Sequence, residues 1–322
     1  MGDGCKAGYK IHLVWEAISG SIQNLSITGS NVTDQSTAWN TLKLLQKDDL
    51  VIRDLGYFST SIFSRINKQG AFFLSRFKQR VNVYTLEGEK IDNLPKYIDQ
   101  KYPHSSVIEL NVLIGSNEKS PVRLIAYRVP EKVMAQRLRK KKGIARTARR
   151  TLSKESKSYC KFTFLITNVP EDIWPAEILG IVYKLRWQIE LVFKSWKSLA
   201  NIDLIKGKSE NRAHCFILGR LIAVLIITMF FSCIKRYVEG EWSRELSLHK
   251  FMLWVLQDQR FLLIACPLDF ERELLRKINE SILDLCKQRR SRATTQDALE
   301  IVADLNIVYI EDVYDSPLRK IA

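Results

Sequence analysis

Residues 175–199 place Tyr183, Arg186, Glu190 and Lys197 in the spacing Y-x2-R-x3-E-x6-K. Steps of three, four and seven return a helical residue to one face, because each residue advances about 100°. Relative to Tyr183, Arg186 falls at roughly −60°, Glu190 at about −20°, Lys197 at about −40° and Lys194 at about +20° on the helical wheel. The opposite stripe, Leu185, Ile189, Val192, Trp196 and Leu199, is apolar and suited to a core. Pro175 fits a first helical position, where its missing N–H is not needed. The spacing predicts one continuous helix that buries one side and gathers one carboxylate, a phenol and three cations on the other. A solvated, salt-bridged face looks like this. So does a site where a carboxylate holds a metal and cations hold phosphate oxygens, and the spacing alone leaves both readings open.

The rest of the chain narrows the choice. Its 322 residues suffice for one or two domains, and its net charge of +15 suits a polyanion, either nucleic acid or an anionic membrane surface. Cys5, Cys160, Cys215, Cys233, Cys266 and Cys286 are scattered without C-x-x-C spacing and read as reduced, buried thiols of a cytosolic protein. His12, His104, His214 and His249 show no ligand spacing. No charged n-region followed by an apolar core opens the sequence, so no signal peptide is expected. Cys215–Ile234 is nearly all apolar and close to a bilayer's thickness in length. Arg220 lies within it, and the run reads as a buried helix rather than a membrane span.

In chain order, residues 8–17 alternate as a half-buried strand, and Ser19-Gly20 turns into a partner strand at 21–28. Thr33 or Ser36 caps a helix to about 46 with Ala38, Leu42 and Leu45 inward, and Asp34 reads as a helix N-terminal residue. Leu50–Asp54 is a short apolar strand ending on a carboxylate. Taken alone, Asp54 reads as a turn-initiating residue before Gly56. Ser59 caps a helix to 69. Strand-like runs follow at 71–77, 81–86, 106–114 and 121–129, punctuated by Pro95, Pro103, Pro121, Gly88 and Gly115. Between 131 and 158 stand eleven cations, Arg137, Arg139, Lys140, Lys141 and Lys142 among them, against Glu131 and Glu155. That imbalance favours phosphate contact over a salt-bridged surface. An apolar strand occupies 160–167. Beyond 199, helices are expected from 209–210 to about 237 and at 242–257, 268–289 and 295–304, with a loose tail from 306. Trp187 and Trp196 read as packing residues.

The string YKLRWQIELVFKSWKSL, introduced by FLITNVP, resembles the signature helix of bacterial insertion-sequence transposases of the DDE class, the group named for its Y-R-E-K motif. The resemblance implies an α/β fold with a ribonuclease H-like mixed sheet, a β-rich insertion subdomain and a helical C-terminal layer. LVIRDLGYF resembles the family's second catalytic aspartate on the fourth core strand. In that register the strands at 8–17 and 21–28 are the second and third. The first, with the first catalytic Asp, is expected upstream of Met1, because Asp3 sits in a Gly-rich loop with no strand to aim it. Expected domains are 1–69 (first part of the core), 70–158 (insertion ending in the basic segment) and 159–322 (remaining core and C-terminal helices).

Transfer of DNA strands needs a metal-activated water or 3′-hydroxyl attacking phosphorus in line, with two metals about 3.5–4 Å apart. The resemblance implies Mg²⁺ or Mn²⁺ in such a two-metal site, with Asp54 and Glu190 as catalytic metal ligands. Tyr183, Arg186, Lys197 and Lys194 are then expected to hold DNA, joined by Arg139, Lys140, Lys141 and Lys142. It further implies a cytoplasmic, nucleoid-associated bacterial protein that cuts and pastes an insertion sequence. Its partners would be terminal inverted repeats and target DNA, met as a homodimer on DNA and away from any membrane. Two readings follow from the missing first Asp: the chain is most of a transposase, or it is a truncated remnant that binds DNA without cutting it. The apolar run keeps a third reading open, a basic membrane-associated protein.

Overall fold

The alternating segment at the N-terminus forms β1 (Gly8–Glu16), and its partner β2 (Ile22–Gly29) runs antiparallel to it. The turn between them is closed by Glu16, whose carboxylate accepts bonds from the backbone N–H of Ile18 (2.7 Å) and Ser19 (2.6 Å). Gly20 has φ +72°, and a Cβ there would meet the Phe231 ring at 2.9 Å. The turn thus requires glycine for backbone reasons and for space. The computed structural model describes residues 8–116, 118–204, 210–242, 244–257, 270–286, 295–302, 305 and 307–317. It divides into two compact units, Met1–Thr37 with Lys184–Ala322, and Ala38–Tyr183. Asp3, Cys5 and Cys266 lie outside the described residues.

In the first unit, β1 has a second neighbour. β9 (Val308–Pro317) pairs antiparallel with it, from Gly8 opposite Pro317 to Glu16 opposite Tyr309. This corrects an expectation: within the segment read as a loose tail, Val308–Pro317 is a strand, and β1 has a ladder partner on each side, β2 and β9. Val308, Tyr309 and Ile310 are buried along with Ile11, Leu13, Val14 and Trp15, so burial of apolar side chains drives the pairing along with the backbone bonds. The same unit holds α8 (Glu210–Trp242), α9 (Leu248–Gln257), α10 (Phe270–Leu285) and α11 (Thr295–Ile301).

The expectation that α8 is buried all round also fails. Ile217, Leu221, Val224, Phe231, Ile234 and Val238 are buried, but Leu218, Ile222, Ile226 and Met229 are open, Met229 at 68%. Buried positions recur every three to four residues, so one face is docked and another is not. Among the described residues, Asn211–Trp242 is the one helix long and apolar enough to cross a membrane by length and composition. Cys215 and Cys233 are exposed, whereas Cys160 and Cys286 are buried, which corrects the expectation of buried thiols throughout.

In the second unit, β3 (Leu50–Arg53) and β4 (Phe72–Arg76) are parallel, joined through α2 (Thr60–Lys68). β8 (Phe162–Thr167), β7 (Ser120–Arg128), β6 (Val107–Ile114) and β5 (Val83–Tyr84) extend the ladder antiparallel, in the order β3-β4-β8-β7-β6-β5. One parallel pair among antiparallel ones makes the mixed α/β class expected from the sequence. All four residues of β3 are fully buried, Arg53 included, and one Arg53 nitrogen donates to the Ala38 carbonyl at 3.0 Å. Ala38 lies on α1 (Asp34–Leu42), which is shorter than expected. Ser59 makes no capping bond to α2; its hydroxyl pairs with that of Ser61. Pro95, read as a loop residue, instead opens α3 (Leu94–Lys101), whose cap Asn93 accepts from the Lys96 N–H at 3.0 Å.

The segment 175–199 is not one helix. α6 (Ala176–Val182) passes into a 3-10 turn, Tyr183–Arg186, before α7 (Trp187–Ala200). A 3-10 turn advances about 120° per residue rather than about 100°, so a single wheel does not describe the stretch. Leu185, Ile189, Val192 and Trp196 are buried as expected. Leu199 is half-buried, and Trp187 is 57% exposed, which corrects its reading as a packing residue.

Candidate active site and nucleic-acid interface

Asp54 follows the buried strand β3 and stands at the start of a 3-10 turn, Leu55–Tyr57. Its backbone carbonyl accepts from the Tyr57 N–H at 3.1 Å, and its side chain makes no capping bond to that turn. The strand is immobilised by burial on all four residues, so the carboxylate leaves a rigid base. Within the same unit, Tyr183 extends its hydroxyl toward the carbonyl of Arg53, the residue before Asp54, at 3.5 Å. That is the outer limit of a hydrogen bond, and it brings the first residue of the signature spacing to the end of β3.

The other signature residues belong to the first unit. Arg186 and Glu190 lie one turn apart, and one terminal nitrogen of the guanidinium donates to a Glu190 carboxylate oxygen. The other terminal nitrogen donates to Asp312 on β9 at 3.2 Å. The Arg186 side chain is 15% exposed and that of Asp312 12%, so solvent screens this pair less than a surface one. Asp312 stood in no sequence-based set of candidates. The signal for it was present in Ile307, Val308, Tyr309 and Ile310, a β-branched and aromatic run of the kind that forms strands. Lys197 is half-exposed and faces Asp203 at 3.5 Å. Lys194 is exposed.

The basic segment is largely α4 (Glu131–Thr147), followed by the short α5 (Lys154–Ser158). Arg139, Lys140 and Lys142 are exposed on it. Lys141 is half-buried, with its ammonium on the Ser156 carbonyl at 3.3 Å. Arg137 is turned inward. Its two terminal nitrogens donate to the Phe162 carbonyl and the Thr163 hydroxyl, each at 2.8 Å. Burial, and then the nearby Arg76, pull its pKa below the usual guanidinium value. Arg137 therefore anchors α4 to β8, and the sequence-based grouping of all these cations as alike is corrected on that residue.

Tyr183 thus reaches the end of β3 next to Asp54 in one unit, and Arg186, Glu190 and Asp312 meet in the other. The described residues gather no group of three or more His, Cys, Asp or Glu able to hold a metal ion. Among the described residues, the three-acid centre implied by the resemblance is not assembled.

The chain thus has a mixed α/β fold with Asp54 just past a buried strand and Glu190 one turn beyond Arg186. The chain belongs to the transposases with a DDE domain, whose family model, described as Transposase DDE domain, matches residues 2–226. It is similar to the transposase of insertion sequence element IS231B from Bacillus thuringiensis subsp. berliner, 30% identical over 324 residues, which covers 94% of this chain and 66% of that relative. It is also similar to the transposase of IS231F from Bacillus thuringiensis subsp. israelensis, 30% identical with 80% of this chain and 57% of the relative covered. For the transposase of IS1151 from Clostridium perfringens the identity is 29%, with 67% and 49% covered. The chain therefore spans less than two thirds of the length of these relatives.

Proposed function

We propose that this chain is the DNA-cleaving and strand-joining part of an insertion-sequence transposase of the cut-and-paste type. The observation that carries the reading is the Arg186–Glu190 pair, one turn apart within the family's signature spacing. Asp54, on its rigid strand end, and Glu190 are the carboxylates that would hold a divalent cation, Mg²⁺ or Mn²⁺. Such an ion supplies a water or 3′-hydroxyl activated for attack on phosphorus. Tyr183, Arg186, Lys194 and Lys197 bind the phosphates next to the cleaved bond, and Arg139, Lys140, Lys141 and Lys142 bind backbone further along. The net charge of +15 draws the whole chain to DNA. Terminal inverted repeats and target DNA are the substrates, engaged by two copies in the bacterial cytoplasm at the nucleoid. The insertion expected over 70–158 carries the basic helix in this scheme.

The test is binding and nicking of a duplex bearing the terminal repeat of the insertion sequence that encodes the chain, with Mg²⁺ or Mn²⁺. The expected result is salt-sensitive binding together with nicking that Glu190→Gln and Asp54→Asn abolish while binding persists. Binding without nicking by the unaltered chain would leave the remnant reading standing. Absence of binding at low salt would overturn both.

A further inference from the structure

We infer that Asp312, on the C-terminal strand β9, is a gate on Arg186, holding the guanidinium closed until a DNA phosphate takes the place of its carboxylate. The inference rests on the reading of Arg186 as a phosphate-binding residue and concerns how that residue is kept before DNA arrives.

The geometry sets the argument. A guanidinium binds phosphate best through two parallel N–H donors. In Arg186 one terminal nitrogen is engaged by Glu190 and the other by Asp312. These three side chains sum to a formal charge of −1, so the two carboxylates weaken the pull of Arg186 on an approaching phosphate. Both partners of the Asp312 contact are mostly buried, so salt and water weaken it less than they would a surface pair. With both terminal nitrogens engaged, a carboxylate that yields opens a forked contact to phosphate.

The two carboxylates differ in how they are held. Glu190 lies in the first turn of α7, four residues after Arg186 at that helix's N-cap, and the spacing persists whenever this start of α7 persists. Asp312 is on a separate element, 126 residues away in sequence, kept beside α7 by the pairing of β9 with β1. Asp312 is therefore the carboxylate that can be released by a side-chain rotation or a small shift of a strand, with no change to the signature helix. Released from it, Arg186 stays against Glu190 and presents its other edge to phosphate. The strand then has two roles: it completes the ladder on β1, and it sets how strongly the signature arginine attracts DNA.

The experiment compares binding of a fluorescent DNA duplex by the full chain and by Asp312→Asn, Asp312→Glu, Arg186→Gln and the Asp312→Asn/Arg186→Gln double variant over a salt series. Asp312→Asn keeps the side chain's shape and removes its charge. It is expected to bind about tenfold tighter, the size of one charge-assisted hydrogen bond, and its log–log salt slope is expected to steepen by about 0.9, as for one further phosphate neutralised. Asp312→Glu is expected to restore wild-type affinity and slope. In the Arg186→Gln background, Asp312→Asn is expected to bring no gain. Thermal unfolding is read alongside, and Asp312→Ser carries the same prediction should the amide variant fail to fold. Equal or weaker binding by Asp312→Asn with an unchanged slope would overturn the gate and make Asp312 a structural strut. So would a gain that survives Arg186→Gln. Loss of DNA binding by every form, the unaltered chain included, would instead sink the phosphate reading beneath it, and the two failures are told apart by the wild-type curve.

Discussion

Arg186, the N-cap of α7, and Asp312 on β9 meet at 3.2 Å although 126 residues separate them. The contact makes the C-terminal strand part of the same structure as the signature helix, so loosening the strand is expected to cost stability. Ile310, opposite Trp15 in the β1–β9 register, is fully buried. Ile310→Ala is expected to destabilise the protein by about 3 kcal/mol, the cost of removing a buried aliphatic side chain and leaving a cavity. Urea unfolding followed by tryptophan fluorescence reads it. A midpoint that does not move would mean β9 is not docked on β1 in solution.

A pH dependence follows from His12. The residue is buried on β1, with Nε2 2.8 Å from the Thr28 hydroxyl and Nδ1 3.2 Å from that of Thr37. Burial lowers its pKa below the ordinary 6.5; Asp34 acts to raise it and Lys10 to lower it. The folded state thus prefers the neutral ring, and the unfolded state binds the proton first. The resulting stability is fully present above pH about 6.5 and is lost as pH falls through that value toward the folded pKa. Thermal unfolding from pH 8 to pH 5 is expected to show this loss, and His12→Gln is expected to flatten it. An equally steep loss in the variant would assign the effect to other groups.

For the basic helix, the difference between exposed and anchoring cations gives a separable outcome. Arg139, Lys140 and Lys142 are exposed, so reversing their charge leaves the fold largely undisturbed. The triple change to Glu is expected to weaken DNA binding by more than tenfold and to lower the salt slope by about 0.9 for each phosphate that is no longer neutralised. Arg137→Gln is expected to do the opposite. It breaks two inward bonds to β8 and lowers the unfolding temperature. If the triple variant retained full affinity and slope, α4 would not face DNA.

How much of this could be read from the chain depended on whether the deciding interactions were local. Alternation placed β1 and β2, and an apolar run ending on a carboxylate placed β3 with Asp54 at its end, because each pattern is written within a few residues. The family was readable from four spaced residues and their neighbours. Asp312 was not, since its role comes from a strand pairing that spans nearly the whole chain, and no local pattern says where a strand will dock. The 3-10 turn at Tyr183–Arg186 was hidden for another reason: steps of three suit both helix types. Arg137 looked like its neighbours because burial is a property of the packed helix, not of a run of cations.

Whether α8 docks on the protein or is available to a lipid bilayer can be tested at a glycine far from it in sequence. Gly20 has φ +72°, and a Cβ there would lie 2.9 Å from Phe231 on α8 and 3.3 Å from Trp15. Gly88 has φ +91°, and a Cβ there would meet nothing within 4 Å. Both alanine variants bear backbone strain, of order 1 kcal/mol. Only Gly20→Ala adds an overlap with a buried ring, which is worth about 1–3 kcal/mol more. Gly20→Ala is therefore expected to lower the urea midpoint clearly further than Gly88→Ala, and trimming the ring in a Gly20→Ala/Phe231→Leu double variant is expected to recover part of the difference. Equal losses at the two glycines would mean that Phe231 does not lie over the β1–β2 turn, and the docked face of α8 would have to be sought elsewhere, a membrane included.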